Sequence, residues 1–175
     1  MRRLSLNYKG LVTHQADAHA ELRRPGDAVI VSRGRPRSLV ISCPCGCQTQ
    51  HPINLDDRSG PAWLLYPSEK RGISLYPSVW RTEGCKSHYI IWGGDILLFD
   101  NRRGVERMPA MELDADRRTR LLKTLTTKFR GLLEIANDVS EVPWDTLDAL
   151  RSLESARLVE EGHGESEGTF RRTLV

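Results

Sequence analysis

Four cysteines fall in two places. Three lie within five positions, Cys43-Pro44-Cys45-Gly46-Cys47, and the fourth, Cys85, is followed by Lys86-Ser87-His88. Cysteines two apart make strained disulfides, and a reducing compartment disfavours a disulfide framework. The chemistry that wants several thiolates together is metal binding, above all tetrahedral Zn²⁺ with Cys and His ligands. Pro44 fixes one backbone angle and Gly46 permits a sharp turn, so the three thiols can fold inward around one ion. The remaining ligand comes from far along the chain, which closes a loop of about forty residues and staples a small β core. Two ligand sets compete. One is Cys43, Cys45, Cys47 and Cys85; the other brings in His88 and drops a cysteine. The four-thiolate set is preferred, because thiolates are soft ligands and every cysteine of the chain sits in these two clusters. The bland alternative is a group of buried free thiols.

If the four cysteines saturate the metal, His88 is released for other work and can serve as a general base. The candidate nucleophile is Ser78, just after Pro77 at a break in a strand. Ser87 is the rival, but it adjoins His88, and neighbours in an extended chain point to opposite faces. No third, orienting carboxylate stands out; Asp57, Asp95 and Asp100 qualify only by arithmetic. A catalytic zinc keeps one open position, whereas a thiolate-rich site favours a closed structural ion. There is no H-E-x-x-H, no H-x-E ahead of a C-x-x-C, and no Gly-rich phosphate loop, which removes metalloprotease, deaminase and nucleotide-binding readings of those types.

These residues need a β scaffold. From Ala28 the pattern turns to strands: Val29-Ile30-Val31, Leu39-Val40-Ile41 leading into the knuckle, His51 to Leu55, Trp63 to Tyr66 ended by Pro67, Ile73 to Tyr76, and Val79-Trp80. His88 to Trp92 and Asp95 to Phe99 flank Gly93-Gly94, a hairpin signal. Residues before Asp27 are mixed. At Leu113 the period changes. Asp114 can cap an amphipathic helix carrying Leu121, Leu122, Leu125, Phe129, Leu132, Leu133 and Ala136. A second helix starts near Pro143, carries Leu147, Leu150 and Leu153, and can stop at Gly162. The expected fold class is α+β: a compact zinc-stapled antiparallel β domain followed by a C-terminal helical pair. Residues 1–112 form the zinc-binding domain, 113–162 the helical pair and 163–175 a flexible tail. The helices are read as core, with a homodimer contact as the other use of their apolar stripes.

The 175 residues carry 26 Lys and Arg against 23 Asp and Glu, with 39% hydrophobic residues. This describes a globular chain rather than a disordered one. No run approaches a membrane helix and the start does not resemble a signal peptide, so the expected location is cytoplasmic, with no membrane partner. The basic excess is small and scattered, which argues against nucleic acid as a partner. Arg33 to Arg37 and Arg102-Arg103 read as solvated turns.

Taken in order, the C-x-C-G-C knuckle, Trp63, Ser74-Leu75-Tyr76-Pro77-Ser78 and Cys85-Lys86-Ser87-His88-Tyr89 resemble a bacterial family long classed as a domain of unknown function. The resemblance covers roughly residues 28–100. Some members are encoded beside ubiquitin-like proteins and the enzymes that activate and conjugate them. The resemblance implies a zinc-stabilised serine peptidase, deubiquitinase-like, that processes or removes a ubiquitin-like protein, in antiphage defence. Its reactive pair matches Ser78 and His88. The implied partners are the ubiquitin-like protein and its conjugation enzymes. The competing reading is a non-catalytic zinc-binding adaptor that docks one of them, with Trp80 and Trp92 as anchors. One departure stands out: Gln48 occupies a position where family members often carry Gly, which puts the turn after Cys47 in doubt.

Overall fold

The computed structural model describes residues 2–99 and 113–173. The chain divides into two units, Met1–Glu106 and Arg107–Val175. Asp100, Arg102 and Arg103 lie outside the described residues, so the expectations placed on them do too.

The first unit runs β1 (Arg2–Ser5), β2 (Asn7–Val12), α1 (Gln15–Glu21), β3 (Asp27–Ser32), β4 (Pro36–Ser42), β5 (Gln50–Asn54), β6 (Leu64–Ser68), β7 (Gly72–Tyr76), β8 (Val79–Trp80), β9 (His88–Trp92) and β10 (Asp95–Phe99). Three sheets result, in the orders β2-β3-β4-β5, β1-β10-β9-β8 and β6-β7. All pairings are antiparallel except β2 with β3. The first strands, β1 and β2, come from the stretch whose sequence pattern is mixed. β1 is legible only as a partner of β10, with Leu4 opposite Ile96. Pro67 does not end β6, which runs on to Ser68 with Pro67 opposite Ile73; an edge strand tolerates a missing N–H.

Strand β3 is buried on both faces, which is why its sequence is a continuous apolar run rather than an alternation. Ala28 and Ile30 join one core with Leu39, Ile41, Ile53, Leu75, Tyr89 and Ile91. Val29 and Val31 face the other way, with Val40, and are covered by Ala18 and Leu22 at helix α1. The β9–β10 hairpin closes on Gly93-Gly94, with Trp92 opposite Asp95. Both glycines have positive φ, 58° and 78°, as a two-residue primed turn demands.

The second unit contains α2 (Ala115–Thr124), β11 (Arg130–Gly131), α3 (Leu132–Asp138), α4 (Pro143–Ser155), β12 (Val159–Glu161) and β13 (Thr169–Arg172). Asp114 caps α2, accepting from the Arg117 N–H at 2.7 Å, and Pro143 opens α4. The leucine stripe that reads as one helix is two. Thr126 Oγ1 accepts from the Lys128 N–H at 3.1 Å, an alternative to helical bonding that threonine offers. The Arg130 guanidinium takes the Thr124 carbonyl at 2.8 Å. Gly162 is not the helix stop. Helix α4 ends seven residues earlier, at Ser155, and Gly162 lies where the backbone crosses Ser166; a Cβ there would sit 2.5 Å from Ser166 O. Nor is the described part of the expected tail, 163–173, free. β13 pairs with both β11 and β12, and Phe170 is fully buried; alternation around that one aromatic is too short a signal to read from sequence. Within this unit Arg117 is buried and held by Glu141 at 2.7 Å. Among the described residues no helix is long and apolar enough to cross a membrane.

Candidate active site and metal centre

Strands β4 and β5 are joined by the knuckle, and β8 and β9 by the segment holding Cys85. Folding brings the two segments together. The Sγ atoms of Cys43, Cys45, Cys47 and Cys85 all lie within 4.8 Å of one another. Cys43 is 3.4 Å from Cys45 and 3.6 Å from Cys85. A tetrahedron of sulfurs at ~2.3 Å from a zinc ion has edges of about 3.8 Å, so the donor set and its spacing fit a four-thiolate metal site. Cys43 is buried and Cys47 exposed. Gly46 takes φ 89° and Gln48 takes φ 62°. The turn after Cys47 therefore keeps the left-handed conformation that glycine adopts freely, even with a side chain in place.

The thiols are not equivalent. Burial and a hydrogen bond to Cys43 push the Cys45 thiol up. At Cys85 burial acts in the same direction, but hydrogen bonds to the Ser87 hydroxyl and backbone outweigh it and bring the thiol down to about 6. Thr49 lowers Cys47. Two neighbours of the sulfurs were not legible as such in the sequence. Ser87 Oγ lies 3.3 Å from Cys43 Sγ and 3.4 Å from Cys85 Sγ. The Arg81 guanidinium donates to Cys85 Sγ at 3.4 Å, setting a positive charge against the thiolates. Their only sequence signal is position, flanking Cys85 at short range.

His88 does not join the sulfurs. Strand alternation turns Ser87 toward Cys43 and His88 to the opposite face, as the chain geometry requires. There His88 Nε2 lies 3.0 Å from Ser78 Oγ. The pairing of β8 with β9 places Trp80 opposite His88, and that of β9 with β10 places Phe99 opposite His88. The His88 ring stacks on Phe99 with centroids 4.6 Å apart and an interplanar angle of 26°. Trp80 is only tilted toward the ring, 36° between planes and 6.0 Å between centroids. The stack on Phe99 is what holds the ring, with Nε2 aimed at the serine. On the Ser78 side, the Trp63 indole N–H donates to the Ser78 carbonyl at 3.3 Å. That bond gives Trp63, the lone tryptophan of the resemblance between the knuckle and the serine segment, a structural task. The Tyr76–Pro77 peptide that leads into Ser78 is cis.

Of the arithmetic candidates for an orienting carboxylate, neither described one approaches this pair. Asp95 sits at the far end of β10, opposite Trp92, and is bonded to Arg3. Asp57 lies in a short helical turn, 3.7 Å from Arg35. The Arg33–Arg37 turn is not simply solvated: Arg35 and Arg37, with Arg58, converge on the buried carboxylate of Asp56.

His51 is a further titratable group beside the core. Its Nε2 is 2.8 Å from the Tyr89 hydroxyl, its Nδ1 is buried without a partner among the described residues, and burial with the nearby Arg81 charge brings it down to about 4.

No curated protein and no solved structure matches this chain. A family model does, over residues 14–99. The matched segment holds all four cysteines, Ser78 and His88. That model is of the family described as the bacterial ubiquitination-like system serine protease (BubE), and the match spans just under half of the chain.

Proposed function

We propose that the chain is a metal-stapled serine hydrolase that cuts the bond at the C-terminus of a bacterial ubiquitin-like protein, with Ser78 as nucleophile and His88 as general base. The observation that carries the reading is the 3.0 Å approach of His88 Nε2 to Ser78 Oγ, together with the serine-protease description of the matching family. In the tautomer with hydrogen on Nδ1, Nε2 accepts from the serine hydroxyl. The Ser78 proton passes to Nε2 as the Oγ–C bond forms at the substrate carbonyl. The C–N or C–O bond then breaks, and Nε2 returns the proton to the leaving amine or alcohol. Water repeats the sequence in reverse: it gives a proton to Nε2, adds to the acyl carbon, and Oγ leaves with that proton.

Cys43, Cys45, Cys47 and Cys85 would hold Zn²⁺ in a closed structural site. The ion takes no part in the bond changes. Held there, it would tie the knuckle to the Cys85 segment and so steady the β8–β9 pairing that sets Ser78 against His88. The biological setting we infer is deconjugation or precursor processing within an antiphage ubiquitin-like pathway, in a compartment that keeps the thiols reduced.

The test is cleavage of a ubiquitin-like fusion by the wild type and by Ser78→Ala and His88→Ala variants, with zinc content measured on each sample. The expected outcome is one zinc per chain throughout, with turnover reduced roughly a thousandfold or more in Ser78→Ala and roughly 10²–10⁴-fold in His88→Ala. Retained cleavage in Ser78→Ala would sink the mechanism. Binding of the fusion by all three proteins with no cleavage would make the chain an adaptor.

A further inference from the structure

Trp80 is 69% exposed, while the preceding Val79 is 4% exposed. A strand alternates faces, so one exposed side chain is ordinary; a tryptophan left open beside a reactive pair is not explained by packing. The hydrogen-bond phase of β8 adds a second observation. The Arg81 N–H donates to the Ser87 carbonyl at 2.9 Å, which makes Arg81 and Ser87 a hydrogen-bonded pair. In an antiparallel ladder such pairs alternate with non-bonded ones. Trp80 and His88, one step along the register, are therefore the non-bonded pair. This has two consequences. The side chains of Trp80 and His88 approach closely on one face, and the N–H and C=O of Trp80 point away from β9. β8 is the last strand of its sheet, so among the described residues those groups face an unpaired edge, two residues from Ser78.

We infer that the substrate enters as an extended peptide segment laid along β8, pairing with the main-chain N–H and C=O of Trp80 while an apolar side chain of that segment packs on the Trp80 indole. Strand addition at an open edge recognises backbone rather than sequence, and the pocket beside it supplies the preference. The occupant is a flexible chain end and not a folded surface, because only extended backbone meets the unpaired groups of an edge strand. Trp80 is on this account a specificity-determining residue. The inference rests on the serine-hydrolase reading above, and the experiment separates the two.

Three measurements are made on wild type, Trp80→Ala and Trp80→Phe. The first is the rate of labelling of Ser78 by a small fluorophosphonate, which needs the reactive pair but no peptide recognition. The second is kcat and KM on an internally quenched library of extended heptapeptides and on a ubiquitin-like fusion. The third repeats the best heptapeptide with single backbone N-methylations. The expected result is an unchanged labelling rate in all three proteins. Trp80→Ala raises KM about tenfold with kcat within twofold, Trp80→Phe restores most of the loss, and N-methylation at one position alone raises KM about tenfold. An unchanged KM in Trp80→Ala, or no sensitive N-methyl position, overturns the inference while leaving the hydrolase intact. A labelling rate that falls with Trp80→Ala overturns it differently, making Trp80 a support for the His88 ring. Failure of the wild type to label at Ser78 removes the hydrolase reading, and this inference with it.

Discussion

His88 and Ser87 are neighbours in the chain with different surroundings. One meets Ser78 Oγ, the other the sulfur of Cys43. The separation follows from strand geometry alone, so it is robust to side-chain detail. A similar contrast holds at His51. Its neutral form is favoured in the fold by burial and by Arg81, and its hydroxyl partner is Tyr89, itself raised by burial. In the unfolded chain a histidine takes its proton near 6.5, whereas here it does so only near 4. Between those values the unfolded state binds the extra proton, so stability falls as pH falls through that window and the contribution is fully lost below about 4. Replacing His51 with Gln removes this contribution. The expected outcome is a shallower loss of urea stability between pH 6.5 and 5 than in wild type, compared at equal zinc content. Parallel curves would contradict it.

At the scale of elements, the β9–β10 turn is fitted to the β6–β7 hairpin. The Gly94 N–H donates to the Ile73 carbonyl at 3.0 Å and its carbonyl accepts from the Leu6 N–H at 2.8 Å. A Cβ on Gly94 would lie 2.9 Å from Arg71 O, and one on Gly72 would lie 3.0 Å from Gly94 Cα. Both positions also have φ 78°. Gly94→Ala is expected to cost about 1–3 kcal/mol, from the left-handed conformation and the backbone clash together. Because β9 carries His88, activity should fall along with the denaturation midpoint. A chemical denaturation series on the variant checks this, and an unchanged midpoint would refute it. Much of this layer was legible beforehand. The Gly-Gly hairpin, the strands from 27 to 99, the Asp114 cap and the Pro143 start all follow from local chemistry. The break at Thr126 and the strand around Phe170 were hidden: the first rests on side-chain bonds of Thr126 and Arg130 that interrupt a helical pattern and on the Arg172 N–H reaching the Thr126 carbonyl at 2.8 Å, the second on strand partners far away in the chain.

For the molecule as a whole, the sulfur cluster would, on holding a metal ion, cross-link the first unit. It joins the β4–β5 turn to the β8–β9 segment and closes a loop of about forty residues. A covalent closure of that length stabilises by roughly 3–4 kcal/mol, and a metal clip acts on the same chain entropy. Removing the ion with a strong chelator is expected to lower the midpoint of the first unit by more than about 10 °C. It should also abolish labelling of Ser78 by a fluorophosphonate, since Cys85 and β8 lose their tie. Differential scanning fluorimetry and labelling on the same chelated sample test both parts. Full labelling after complete metal loss would separate the cluster from the active site. Adding zinc back should restore both signals.

Sequence alone determined which residues are soft ligands, and narrowed the donors to two sets, with Cys43, Cys45, Cys47 and Cys85 preferred over one that brings in His88; Ser78 and His88 it singled out as a pair chiefly through the resemblance. Those conclusions rest on residue type, short spacing and resemblance, all of which are local. Only the tertiary structure decided that the knuckle and Cys85 converge, that His88 turns away from the sulfurs, that Arg81 and Ser87 attend the thiols, and that Trp80 stands open at a sheet edge. Each of these depends on strand pairing between segments tens of residues apart. Pairing register is set by burial of whole faces in the shared core, a property no local window of the chain contains.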